Sequence, residues 1–132
     1  MTNHVDALFL TETWLSPDSD PIAIGELTPP GYEFINIPRG TDNHGGIGIV
    51  HHKSLKFQIL PQQVSTISFE HAIIFDNVSK IHFVVVYRPP PSTENTFTIR
   101  QFLTEFDQFV LYINTLCGKV IYIGDFNVQP RS

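Results

Sequence analysis

Short apolar runs separated by turn-forming residues account for most of the chain. The runs are rich in β-branched and aromatic residues, and Gly, Pro, Asn or Asp stands between them, a pattern typical of successive strands. The predicted strands are Val5 to Leu10, Tyr32 to Ile37, Gly46 to His51, Leu55 to Leu60, Ser68 to Phe75, Lys80 to Tyr87 and Lys119 to Ile123. Asp76-Asn77 predicts a hairpin turn, so the strands on either side of it should be antiparallel.

One segment has helical periodicity instead. Apolar side chains recur at steps of three and four from Ile99 to Leu116, which predicts an amphipathic helix that packs on a sheet. Thr93 to Thr96 supplies candidate capping residues at its start, and Gly118 stands where the helix should stop. The Pro- and Asp-rich stretch from Ser16 to Gly31 predicts a surface loop.

Composition excludes several classes of protein. The chain has 132 residues, 42% of them hydrophobic, which suits one globular domain with a real core. It lacks a stretch of roughly 20 apolar residues and a signal-peptide pattern, so we expect an intracellular protein, nuclear or cytoplasmic and not secreted. The formal net charge of −5 argues against tight, sequence-independent binding of phosphates. Cys117 lies in an apolar-periodic stretch and is expected to be a buried, reduced thiol.

The histidines do not predict a metal site. His51 and His52 are adjacent, so on a strand their side chains point to opposite faces. We expect His44 in a loop and His71 and His82 at strand positions. No spacing of Cys and His in the sequence supports a zinc site.

Two predicted strands end in polar residues suited to a site for a metal and a phosphate. Glu12 follows the first strand, and Asp125 and Asn127 follow the last. Parallel neighbouring strands would deliver these side chains to one carboxyl edge of a sheet. One or two carboxylates suffice to hold Mg²⁺ beside a phosphate. Taken alone, however, Glu12 is better explained as a solvated turn residue, and the run Gly124 to Asn127 as a turn.

Four motifs, taken together and in order, carry a resemblance to a known family. They are Leu10 to Leu15, Gly45 to Ile49, Val86 to Pro90 and Tyr122 to Asn127. In order and spacing they resemble the endonuclease/exonuclease/phosphatase superfamily, and within it the endonuclease domains of non-LTR (LINE-type) retrotransposons. The phenylalanine-rich helix before the last motif is also similar to those elements. The resemblance covers nearly the whole chain.

The resemblance implies a fold and a set of residue roles. The fold is a partial four-layer α/β sandwich, in which two mixed or antiparallel β-sheets are faced by helices. By matching position, Glu12 would be the ligand of Mg²⁺, with Mn²⁺ as a substitute, and Tyr87 would contact the phosphate. Asp125 would activate or orient the attacking water, and Asn127 would bind the phosphate. For Tyr87 a role in core packing is an equally good interpretation, and for Arg88 we favour a turn role over phosphate steering.

The resemblance also bears on completeness. Complete members carry a functional asparagine on a strand upstream of the glutamate motif, and downstream strands that end in Ser/Thr-Asp-His. We therefore expect residues 1–132 to form a single partial domain whose magnesium-dependent hydrolysis of DNA is weak or absent, without membrane contact or an obligate protein partner. The alternatives are a non-catalytic fragment that binds nucleic acid or protein, and a phosphatase or phosphodiesterase acting on a small molecule.

Overall fold

In the part of the chain that the structure describes, two β-sheets and a long helix lie in successive layers. The structure is a computed structural model and describes residues 6–15, 21–39, 45–91 and 96–127. In chain order the elements are β1 (Ala7–Thr11), α1 (Pro21–Leu27), β2 (Tyr32–Ile37), β3 (Ile47–His52), β4 (Phe57–Ile59), β5 (Glu70–Asp76), β6 (Ile81–Tyr87), α2 (Ile99–Ile113) and β7 (Lys119–Asp125).

The strands divide into a first sheet of order β1-β3-β2 and a second sheet of order β4-β5-β6-β7. Neighbours in the first sheet pair antiparallel, as do β4, β5 and β6 in the second. The last pair, β6 and β7, runs parallel, because α2 lies between these strands in the chain and supplies a crossover. This is the expected α/β arrangement of two sheets with helices.

Alternate residues of the second sheet pack on opposite sides. On β6, Val85 faces the first sheet, where it packs against Ile47 of β3 together with its sheet neighbour Ala72 of β5. Its neighbours Val84 and Val86 face α2 instead, because successive side chains of a strand point to opposite faces. The buried cluster on that side is Phe69, Ile73, Val84, Val86, Phe102, Phe109 and Ile113. The second sheet is therefore covered on both faces.

The long helix begins and ends at different residues from those predicted. Thr98 is its N-cap, because the Thr98 hydroxyl accepts from the Gln101 amide and the Gln101 side chain accepts from the Thr98 amide. The predicted cap within Thr93 to Thr96 is therefore wrong, because the helix begins after Thr98. Residues 92–95 themselves lie outside the described ranges. The helix ends at Ile113, and Gly118 instead makes the turn into β7 with φ +92°. Among the described residues, neither helix has the length and apolar character needed to cross a bilayer.

Two further predictions are corrected. Pro21–Leu27 forms α1 within the stretch that was predicted to be a loop, and a proline is tolerated in a first helical turn, where its missing N–H would have no partner. Cys117 is exposed, because it follows the end of α2 and no longer shares that helix's buried face. The hairpin prediction is confirmed: β5 and β6 pair antiparallel, and the Asp76 carboxylate accepts from the Val78 and Ser79 amides.

Candidate active site

Residues from both sheets meet where β1, β6 and β7 end. Tyr87, the last residue of β6, lies opposite Asp125, the last residue of β7, in the parallel ladder. The Tyr87 hydroxyl is placed to donate to the carboxylate of Glu12, which follows β1, and burial and this neighbour both contribute to the raised pKa of Tyr87. Glu12 and Asp125 are thus linked through Tyr87. The expectation of parallel neighbouring strands is wrong, since β1 and β7 belong to different sheets.

Tyr87 is buried in the core and also lies where the strands of the candidate site end. Its side chain is 1% exposed, yet its hydroxyl reaches Glu12. Burial raises the pKa of Tyr87, and the hydrogen bond and negative charge of Glu12 and the charge of Glu70 raise it further, against an opposing effect of Arg39. Tyr87 therefore keeps its proton at neutral pH and acts as a hydrogen-bond donor, not as a base.

The backbone at Glu12 has an unusual conformation. Glu12 is exposed and has φ +54°, in the left-handed region that non-glycine residues seldom adopt. Beyond it, the Thr13 amide donates to the Gly46 carbonyl at 3.4 Å and the Trp14 amide to the Gly45 carbonyl at 2.8 Å. Such conformations cluster at functional sites, where the surroundings hold them in place.

The two glycines approach their neighbours too closely for any side chain. Gly45 and Gly46 have φ +68° and +94°. A Cβ atom on Gly45 would lie 2.5 Å from a Glu70 carboxylate oxygen, and one on Gly46 would lie 2.6 Å from the Thr13 hydroxyl. The Gly-Gly pair at the entry to β3 is therefore a requirement of this contact.

Glu70 is a member of the cluster that sequence reasoning missed. One of its carboxylate oxygens accepts from the Gly46 amide at 2.8 Å, and the other accepts from Arg39 Nε at 2.9 Å. Its position opposite Tyr87 follows from the observed register of β5 with β6, which a turn signal at Asp76-Asn77 does not determine.

The loop after β7 is held by a buried arginine. Arg88 is 5% exposed, and its guanidinium donates to the carbonyls of Phe126 and Asn127 at 3.4 and 3.3 Å. It also stacks over the Phe102 ring, 5.2 Å from the centroid. Arg88 therefore has a structural role, as favoured from the sequence, but the segment that it holds is the loop bearing Asn127.

Further hydrogen bonds join Arg88 to Asp125 and Asn127, and Asn127 to Asp125. The Arg88 amide donates to the Asp125 carbonyl at 2.8 Å, and Asn127 Nδ2 donates to the Arg88 carbonyl at 2.6 Å. The Asn127 amide donates to Asp125 Oδ1 at 3.3 Å, and Asn127 has φ +46°. Glu12 and Asn127 thus both have left-handed backbones.

The donor chemistry of this edge fits a hard divalent cation held by few protein ligands. The described residues contain no group of three or more His, Cys, Asp or Glu close enough to hold a metal ion. Glu12, however, presents an exposed carboxylate beside a hydroxyl, and Mg²⁺ commonly keeps several waters and uses one or two carboxylates plus phosphate oxygens. Glu12 is therefore the residue that would hold such an ion.

Comparison with known proteins gives a family for this arrangement. The family model described as the endonuclease/exonuclease/phosphatase family matches residues 2–132. No curated protein sequence gives a significant match. Solved structures similar in fold include the human Nocturnin catalytic domain with bound sulfate, with 15% identity and a TM-score of 0.52 over 95% of this chain and 52% of that one.

Two structures of TDP2 are similar to the same extent. The truncated Caenorhabditis elegans protein has 20% identity and a TM-score of 0.52, over 94% of this chain and 50% of that one. The D. rerio protein complexed with a single-strand DNA product has 21% identity and a TM-score of 0.54, over 95% and 49%. The chain spans about half the length of these structures. With the family model covering almost all of its residues, the protein belongs to the endonuclease/exonuclease/phosphatase family.

Proposed function

We propose that the protein performs metal-assisted hydrolysis of a nucleic-acid phosphodiester, with DNA as the substrate. Enzymes of this family are generally dependent on divalent metals. In this proposal Glu12 would be the ligand of Mg²⁺, with Mn²⁺ as a substitute. Asp125 would orient the attacking water, and Tyr87 and Asn127 would contact the phosphate. The observation that carries the proposal is the position of Tyr87, which lies opposite Asp125 in the ladder and has its hydroxyl beside the Glu12 carboxylate.

The Glu12 side of the site supplies the negative charge for a cation. A bound divalent cation polarises a phosphoryl oxygen and offsets the charge that develops on it. The exposed Glu12 carboxylate would hold that cation, and the Tyr87 hydroxyl is placed to orient the carboxylate.

Tyr87 changes partner when substrate binds. A phenolic hydroxyl carries a single proton and donates to one acceptor at a time. In the structure that acceptor is Glu12. On substrate binding the hydroxyl turns to a non-bridging phosphate oxygen, and its raised pKa keeps the proton available for this contact.

Asp125 and Asn127 act on the water and the phosphate. The Asp125 carboxylate accepts a hydrogen bond from the attacking water, and its orientation is set by the Asn127 amide. Of the two N–H donors of the Asn127 carboxamide, one is used by the Arg88 carbonyl, and the other donates to the phosphate. Attack by water breaks one P–O bond and leaves a hydroxyl on one product and a phosphomonoester on the other.

We also propose the LINE-type retrotransposon endonucleases as the relatives of this chain within the family, on the strength of the motifs around Glu12 and Asp125. In this proposal residues 1–132 are a single partial domain. Cleavage by the chain alone is slow, because the three buried histidines among the described residues contact groups outside the candidate site: His51 the His52 carbonyl, His71 the Val64 carbonyl, and His82 the Phe75 ring.

The test is nicking of supercoiled plasmid under long incubation at high protein concentration. We expect slow nicking that requires Mg²⁺ and falls by about 100-fold or more in Glu12→Ala and in Asp125→Ala. Glu26→Ala is the matched control, because Glu26 is an exposed carboxylate on α1, and it should nick at the wild-type rate.

Other outcomes favour the other functions. Nicking that survives both Glu12→Ala and Asp125→Ala would overturn the proposal. DNA binding that weakens with salt, without cleavage at any metal concentration, would indicate a non-catalytic binding fragment. Hydrolysis of small phosphate esters but not of plasmid would indicate a small-molecule phosphatase.

A further inference from the structure

We propose that Glu70 is a positioning residue for Glu12, acting through the backbone of Gly45 and Gly46. The catalytic consequence of this inference rests on the function proposed above, whereas its geometric part does not. Glu70 lies in the second sheet and Glu12 follows a strand of the first. Glu70 thus provides a polar connection between the two sheets next to the candidate metal ligand.

The Glu70 carboxylate is held by a hydrogen bond to each of its oxygens. Its side chain is only 15% exposed, and a carboxylate withdrawn from water to this extent needs donors. It has one for each oxygen, the Gly46 amide at 2.8 Å and Arg39 Nε at 2.9 Å. Charge-assisted bonds of this length are stronger than neutral ones, so they fix the position of Gly46 relative to the second sheet.

The regular pairing of β1 with β3 is interrupted at Glu12. The regular ladder ends at Thr11 opposite Ile47. The next bond joins the Thr13 amide to the Gly46 carbonyl, so Glu12 and Thr13 together lie opposite Gly46. Two residues against one is the arrangement of a β-bulge, which re-aims a side chain. The bulge is the reason that the Glu12 side chain leaves the alternation of β1 and reaches Tyr87.

The bulge at Glu12 depends on its contacts with Gly45 and Gly46. A left-handed glutamate persists only where the surrounding structure holds it. Here the Thr13 and Trp14 amides are held by the carbonyls of Gly46 and Gly45, and Gly46 is in turn held by Glu70. Loss of the Glu70 carboxylate would remove the acceptor of the Gly46 amide and so loosen the contacts of Gly45 and Gly46 with the Glu12 segment.

Glu70 itself is a positioning residue and not a cation ligand. Both of its carboxylate oxygens already accept hydrogen bonds, and one of them faces the Arg39 guanidinium. A cation approaching Glu70 would meet that positive charge at short range. Glu12, in contrast, is exposed, and the neighbour recorded for its carboxylate is the Tyr87 hydroxyl.

The experiment compares backbone amides of the full chain by ¹H–¹⁵N NMR. Glu70→Gln preserves the shape of the side chain and removes its charge. We expect the Thr13 and Trp14 amide signals to move and their hydrogen exchange to accelerate about tenfold. Mg²⁺, followed at the Glu12 amide, should bind about tenfold more weakly. The Val85 amide, in the centre of the second sheet, should be unchanged and reports that the fold is intact.

Glu105→Gln is the matched control. The Glu105 carboxylate accepts from the Ile67 and Ser68 amides and the Ser68 hydroxyl, each at 2.8 Å, so it is a comparable anchor at a different loop. This variant should move the amides of residues 67 and 68 and leave Thr13, Trp14 and the Mg²⁺ response unchanged.

A second variant covers the case in which Glu70→Gln fails to fold. Arg39→Gln removes one donor and leaves the Gly46 bond to Glu70, so it should move the same amides by less. Thr13 and Trp14 signals that stay in place in the folded variants would overturn the inference. If these signals move while the wild type neither responds to Mg²⁺ nor nicks DNA, the positioning stands and the proposed function fails. Where nicking is measurable, kcat should fall with KM unchanged.

Discussion

The two halves of the candidate site are held in place by different forces. The Glu12 half, residues 12–14 with Gly45, Gly46 and Glu70, depends on backbone bonds around a bulge and on a carboxylate paired with a partly exposed arginine. The Asp125 half, residues 125–127 with Arg88, depends on a buried guanidinium packed against an aromatic ring. Tyr87 joins them.

Because of this difference, contacts in the Glu12 half should fix the position of Glu12, whereas contacts in the Asp125 half should stabilise the fold. In the Glu12 half the contacts lie at the edge of the first sheet, so their loss would move Glu12 without opening the main core. In the Asp125 half Arg88 lies against Phe102, which belongs to the cluster between the second sheet and α2. Loss of Arg88 would leave buried carbonyls without donors and would disturb that core. The first half should therefore be more sensitive in function and the second in stability.

The largest expected effect is on stability, from Arg88→Ala. Losing two hydrogen bonds to carbonyls and a ring contact should lower the free energy of unfolding by about 2–4 kcal/mol. Arg88→Lys keeps the charge but not the planar fork, so its loss should be about half as large. Urea denaturation measures both.

The control for this prediction is Arg100→Ala. Arg100 is an exposed arginine on α2, and its substitution should change the free energy of unfolding by no more than about 0.5 kcal/mol. Equal losses for Arg88→Ala and Arg100→Ala would show that the buried arginine does not stabilise the Asp125 half.

Gly46→Ala tests the Glu12 half and should cost less stability than Arg88→Ala. Its φ of +94° is strained for alanine, and its Cβ would press on the Thr13 hydroxyl at 2.6 Å, so we expect a loss of about 1–3 kcal/mol. Displacement of Glu12 should also remove the Mg²⁺ response at that residue. Urea denaturation and NMR titration with Mg²⁺ measure the two effects.

Gly25→Ala is the matched glycine control. Gly25 lies in α1, and a Cβ there would meet nothing within 4 Å, so the substitution should stabilise the helix by up to about 1 kcal/mol. If Gly46→Ala behaves in the same way as Gly25→Ala, the contact between the glycine pair and the Glu12 segment is not a constraint.

Local patterns predicted the elements of the fold well, because each depends on neighbours in sequence. The hairpin at Asp76 and the helix from Ile99 are examples, and they were confirmed apart from the helix ends. The division into two sheets was not predictable in this way, because apolar alternation does not say which strand a given strand pairs with. As a result β1 and β7 were expected side by side, whereas they lie in different sheets.

The candidate site was predictable only in part, for the same reason. Glu12 and Asp125 each follow a recognisable strand, so their positions at strand ends were visible in the sequence. Their meeting through Tyr87 depends on packing between sheets. The contacts of Glu70 and Arg88 join segments that are 24 and 39 residues apart, and no local pattern identifies them. The roles assigned to Glu12, Tyr87, Asp125 and Asn127 stay predictions.

The smallest expected effect is a pH dependence of the free energy of unfolding. It arises from His71 on one face of β5 and should not involve Glu70 on the other. Glu70 points toward the Gly46 contact, whereas the next residue, His71, packs against Phe109 of α2. Burial lowers the pKa of His71 below its usual 6.5, against smaller raising effects of the Val64 hydrogen bond and the Glu105 charge. The folded state therefore resists protonation, while the unfolded chain takes up the proton as the pH falls through about 6.5.

This stabilisation should be fully present above about pH 6.5 and decline below it, by at most about 1.4 kcal/mol per pH unit for one group. Urea denaturation at about pH 7.5 and pH 5.5 should show a smaller pH-dependent loss in His71→Phe than in the wild type. Only that difference is diagnostic, because His71→Phe also removes the bond to the Val64 carbonyl at both pH values. Equal losses in the two proteins, or a His71 ring that titrates at or above 6.5 by NMR, would show that protonation of this face does not limit stability. Because Glu70 lies on the other face, the Thr13 and Trp14 amide signals should not follow the His71 titration.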